Sequence, residues 1–165
     1  MFRLSKIADY GIIILAHLAQ RDIVPGAGDA EGLAPSLNAR ELAAHVDLPL
    51  PVVSKVLKTL TRAGVLVSHR GAKGGYSLAR RPEELSVAEM ITALDGPLAL
   101  TQCGLGPAVC DLELSCAVKS PWLVINRVVH DALASVTLAD LTDPHFSTGH
   151  APLAAGLARL ASERI

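Results

Sequence analysis

Apolar positions recur at helical spacing along most of this chain and alternate like strands only in two short runs. Leu4, Ile7, Gly11, Ile14, Leu15 and Leu18 share one face, which predicts a helix over about residues 3–20. In "NARELAAHV", Asn38 and Glu41 stand three apart, the spacing of a capping box, and open a short helix. "DLPL" is a tight connection, and Pro51 suits the first turn of the helix that follows. There Val53, Val56, Leu57 and Leu60 form the buried face, and Gly64 is the stop. Two helices joined by a few residues are the signature of a helix-turn-helix. "VLVSH" and "YSLAR" flank "RGAKGG", whose glycines allow the positive φ angles of a hairpin, so a wing follows directly. Another capped helix, "SVAEMITALDG", uses Ser86, Glu89 and Gly96. In "SPWLVINRVVHDALASV", Trp122, Ile125, Val129, Ala132 and Val136 line one face, widened by Val124, Val128 and Leu133. So broad a stripe so late in a small chain predicts a partner helix from a second subunit.

The expected fold is mainly α with a small β-hairpin wing: a winged helix-turn-helix domain plus a long dimerisation helix. The DNA-binding domain would cover residues 1–96, a cysteine loop 97–119, the dimerisation helix and a short following segment 120–141, and a flexible or weakly helical tail 142–165. Residues 22–37, rich in Gly, Ala and Pro, read as a mobile loop.

Composition adds an aliphatic core, since half the residues are hydrophobic and only 3% aromatic. Net charge is −1, but its distribution is uneven. Residues 48–82 carry seven Lys and Arg and no acid, whereas residues 86–165 carry four Lys and Arg against eight acids. Lys55, Lys58 and Arg62 fall on the second helix of the helix-turn-helix, away from its apolar face. Arg70 and Lys73 stand at the wing tip, Arg80 and Arg81 at its base. A solvated charged face is the plain reading of such a helix. Combined with the wing, the acid-free segment points instead to double-stranded DNA. Pro51, Ser54 and Lys55, early in the recognition helix, are placed for base edges, and Lys58 and Arg62 for phosphates.

All three cysteines, Cys103, Cys110 and Cys116, lie within fourteen residues of a Gly- and Pro-bearing loop. The early apolar run is interrupted by Asp9, no signal-cleavage pattern follows, and no stretch nears the ~20 apolar residues of a membrane span. The expected compartment is the cytoplasm, where clustered thiols suggest metal rather than disulfide. Soft thiolates suit iron–sulfur clusters, zinc or copper(I). Spacing leaves three readings open: a cluster, zinc, or metal-free thiols forming a redox switch or packing under the loop. No serine triad, P-loop or dinucleotide fingerprint occurs. A thiol enzyme pairing a Cys with His130 or His145 is the remaining enzymatic alternative, and the chain is read as a non-enzyme.

"LSKIADYGIIILAHLA", "LPLPVVSKVLKTLTRAGVLVSHRGAKGGYSLAR" and "SVAEMITALDGP", followed by three Cys, resemble the bacterial iron–sulfur winged-helix regulators typified by IscR and NsrR. The likeness is closest to the SUF-system regulators of that family and covers about residues 2–141. It implies a homodimeric transcription factor whose three Cys hold an iron–sulfur cluster, 2Fe–2S favoured over 4Fe–4S, and whose targets are SUF cluster-assembly genes. It also implies a fourth ligand: the position of Asp9 resembles the one where NsrR-type members supply an aspartate from the partner subunit. Four departures stand out. Six residues separate the first two Cys and five the last two, where the family often has five in both, Lys119 occupies the place of an IscR-type histidine ligand, Ser54 stands where IscR carries a base-reading acid, and the loop from Asp22 to Leu37 is longer than usual.

Overall fold

The computed structural model describes residues 4–22, 36–71 and 74–146. Most of the expected loop at 22–37, Lys73 and the tail beyond residue 146 lie outside the described residues. Six helices and one hairpin are described: α1 (Lys6–Asp22), α2 (Ala39–His45), α3 (Leu50–Arg62), β1 (Leu66–Ser68), β2 (Tyr76–Leu78), α4 (Val87–Asp95), α5 (Lys119–Ala134) and α6 (Leu138–Thr142). The mainly α winged-helix expectation holds.

Each element starts and stops for local reasons. The Asn38 side chain accepts from the Glu41 N–H at 3.0 Å while the Glu41 carboxylate accepts from the Asn38 N–H at 2.9 Å, the reciprocal box read from the sequence. Ser86 and Glu89 cap α4 in the same way. Gly64, at φ +73°, ends α3: its N–H reaches the Thr61 carbonyl and the Val65 N–H reaches the Leu60 carbonyl. That pair of bonds is a Schellman motif, which needs a left-handed residue best supplied by glycine.

The core gathers one face of each early helix. Ile14, Leu15 and Leu18 of α1, Leu42 of α2, all four expected residues of α3, and Met90 and Ile91 of α4 are buried. In the hairpin, Leu66 pairs with Leu78, Val67 with Ser77 and Ser68 with Tyr76. Leu37 adds to its edge, exchanging backbone bonds with Tyr76 at 3.2 and 2.8 Å. This explains Gly75: a Cβ there would sit 2.6 Å from the Leu37 carbonyl carbon. Gly75 therefore serves close backbone approach, and only Gly71, at φ +116°, supplies the positive φ expected in the described part of the wing.

The late helix departs from expectation at its end. It stops at Ala134, and Val136, assigned to the dimerisation stripe, is buried in the chain's own core. The Val87 N–H donates to the Val136 carbonyl at 2.8 Å, and the Leu138 N–H to that of Leu85, so the chain turns inward before α6. The hydrophobic period continued past the helix because the next apolar side chain was needed by a different surface.

Candidate nucleic-acid interface and cysteine loop

α3 turns Val53, Val56, Leu57 and Leu60 into the core, which leaves Pro51, Lys55, Lys58 and Arg62 exposed and Ser54 half-buried. Arg70 is exposed in the hairpin connection. Among the described residues, none of these four cations joins an ion pair. Arg80 and Arg81 differ. Arg80 binds Glu89 at 3.0 Å and Arg81 approaches Glu84 at 3.9 Å. The Glu89 carboxyl is held below the usual range, first by the Ser86 backbone N–H; burial opposes this, and the Arg80 and Ser86 side chains add to the lowering. Thus α4, through its cap, grips the base of the wing, while α3 and Arg70 present unpaired positive charge. The wing is braced from inside by His69, whose Nε2 lies 2.8 Å from the Oγ of buried Ser77.

The cysteine loop hangs on two polar residues. Asn126, on α5, accepts from the Leu100 N–H at 2.6 Å and donates to Thr101 Oγ1 at 3.0 Å and to the Trp122 carbonyl at 2.8 Å. Thr101 Oγ1 in turn lies 3.1 Å from Cys103 Sγ. Glu113 accepts from the Ala108 N–H at 2.6 Å and from Lys119 Nζ at 2.8 Å. The Lys119 bond first, and the Ala108 N–H second, hold the Glu113 carboxyl below its usual range. Neither anchor was marked from sequence as holding the loop. The signal for Asn126 is its place as a lone amide in "WLVINRVV", and that for Glu113 and Lys119 is opposite charge six residues apart.

Cys103, Cys110 and Cys116 are all free and half-buried. Among the described residues, no group of three or more Cys, His, Asp or Glu side chains is gathered closely enough to hold a metal ion. Asp9 is exposed on α1. In donor chemistry three unpaired thiols on one loop fit a soft metal or a cluster; assembling them requires the loop to change shape. Glu113 as a ligand would forfeit the Lys119 pair.

α5 carries no buried residue, although its sequence is largely apolar. Val124 is 59% and Ile125 42% exposed, Trp122 and Leu123 also face solvent, and Val129 and Ala132 are half-buried. Leu105, Val109, Leu112 and Leu114 of the cysteine loop are exposed as well. No helix among the described residues is long and apolar enough to cross a membrane.

Known proteins share this fold. A helix-turn-helix-type transcriptional regulator of Mycobacterium tuberculosis is 32% identical over 143 residues, 84% of this chain and 80% of its own. CymR of B. subtilis, the global cysteine regulator, superimposes with a TM-score of 0.64 at 26% identity, covering 86% of this chain and 97% of CymR. T. potens IscR gives 0.60 at 28% identity, covering 85% of each chain. The Rrf2 family model, described as iron-dependent transcriptional regulator, matches residues 4–144. With its recognition helix, wing and cysteine loop so arranged, this chain belongs to the Rrf2 family of transcriptional regulators.

Proposed function

We propose that the chain is a homodimeric, DNA-binding repressor or activator that senses iron–sulfur status through Cys103, Cys110 and Cys116 and controls SUF cluster-assembly genes. The observation that carries this reading is the placement of three unpaired, half-buried thiols on one loop tied by Asn126 to α5. In this reading Asp9 of the partner subunit completes the ligand set, and its exposure leaves it available. Bound there, a 2Fe–2S cluster would supply a link between thiolates that oxygen or iron shortage can remove. The loop's state then passes through Asn126 to α5, from α5 to α4 packed against it, and through Glu89 and Arg80 to the wing base. Pro51, Ser54 and Lys55 meet base edges, while Lys58, Arg62 and Arg70, with Lys73, meet phosphates. Trp122, Ile125, Val129 and Ala132 form the two-fold interface, and the half-sites stand about one DNA turn apart.

Protein purified without oxygen tests this. A visible cluster spectrum with matching iron and sulfide, lost in Cys110→Ala and labile in Asp9→Ala, is the expected result. An Asp9→Ala protein with the parent's spectrum and rate of loss in air moves the fourth ligand elsewhere. A second reading rests on the thiols being free and ungathered: a cluster-free switch in which two of the three join as a disulfide on oxidation. Colourless, iron-free protein whose operator binding changes with peroxide would establish that reading instead, and a colourless protein holding zinc that is lost in Cys110→Ala would overturn both.

A further inference from the structure

A second set of metal-ligating groups lies away from the cysteines. His17 on α1 and His45 at the end of α2 face each other, Nε2 to Nδ1, at 3.3 Å, with ring centroids 5.1 Å apart and planes at 48°. At this separation the two rings share a hydrogen bond, one nitrogen donating to the other, and the 5.1 Å between centroids makes it a bent one. Two imidazoles ligating one tetrahedral ion at about 2.0–2.1 Å would hold their nitrogens about 3.3 Å and their centroids about 5.2 Å apart. The observed nitrogen and centroid separations are close to these, so an ion can take the place of the shared proton with little movement of either ring.

We propose that His17 and His45 form a two-histidine site for a divalent transition-metal ion of the imidazole-preferring kind, such as zinc, cobalt or nickel, joining α1 to α2. No third Cys, His, Asp or Glu is gathered with them among the described residues, so water fills the remaining positions. His45 is exposed and His17 half-buried, which gives an ion a way in. Burial, then His45 and Arg21, favour the neutral His17 ring, the form that offers a lone pair to a metal. Arg21 is also the charged group that opposes a cation here, so binding requires both rings. An ion in this place ties the first helix of the helix-turn-helix to α1 and stiffens the unit that presents α3.

The test uses the full chain with Cys103, Cys110 and Cys116 replaced by serine, titrated with zinc chloride by calorimetry. One ion per chain is expected. His17→Gln and His45→Gln should each weaken binding about tenfold or more, while His130→Gln leaves it unchanged. Cobalt(II) should show a visible band that either glutamine variant removes. His45 is exposed, so His45→Gln keeps the fold and remains decisive if His17→Gln does not; metal-free melting temperatures check this. Absence of binding at millimolar zinc, or binding indifferent to His45→Gln, overturns the proposal.

Discussion

Replacing Asn126 by alanine is expected to free the Cys103 end of the loop without unfolding the protein. The side chain makes three hydrogen bonds, at 2.6, 3.0 and 2.8 Å, and two of them hold Leu100 and Thr101. In the variant the half-buried Leu100 N–H loses its acceptor. Leaving such a group unmatched costs about 1–3 kcal/mol. Alanine's higher helix propensity returns up to about 0.7 kcal/mol to α5, so global stability is a blunt reporter. Local opening is the sharper one. If alkylation of Cys103 requires the loop to open, that cost raises its rate about 5- to 150-fold. Asn126→Asp keeps the acceptor for Leu100 and loses both donated bonds, so its acceleration should be smaller. Mass-resolved alkylation with iodoacetamide reads all three thiols in one sample. Cys110, whose segment is held by Glu113 instead, is the internal reference. If Cys103 reacts less than about twofold faster, or Cys110 accelerates equally, Asn126 does not hold the loop in the way argued.

Operator binding should fall linearly with the logarithm of salt concentration, and Lys58→Ala or Arg70→Ala should each reduce the slope by about one unit or less; fluorescence anisotropy at several salt concentrations measures this, and unchanged slopes count against the assignment. Gly75→Ala forces a Cβ to within 2.6 Å of the Leu37 backbone and should cost about 1–3 kcal/mol in denaturant unfolding, with weaker DNA binding. Glu89→Gln should destabilise by at most about 1 kcal/mol at neutral pH, since the pair is solvent-screened. Because the folded-state pKa of Glu89 is lowered, its contribution is present above the unfolded value and is lost as pH falls through the folded one, so parent and variant should converge in acid. Ile125→Asp, on the exposed face of α5, should produce a monomer in sedimentation velocity where the parent sediments as a dimer; a dimeric variant moves the interface off this helix.

What the sequence determined by itself was everything set within a few residues along the chain. The boxes of Asn38 with Glu41 and of Ser86 with Glu89, the apolar face of α3, the stop at Gly64 and the hairpin were legible because the deciding interactions join near neighbours. The cations of α3 were legible too, since burial of Val53, Val56, Leu57 and Leu60 dictates the outward face. The tertiary structure decided what depends on packing between distant segments. Val136 continues the stripe of α5 in period, yet its carbonyl accepts from Val87 and its side chain joins the core. Gly75 looked like a turn residue and serves the approach of Leu37, thirty-eight positions earlier. Arg80 and Lys58 are alike as sequence, but only Arg80 meets an acid, because α4 carries Glu89 to the base of the wing. Asn126 and the pair of His17 with His45 left little trace in the sequence, since a single polar side chain takes its role from whatever the fold brings opposite it.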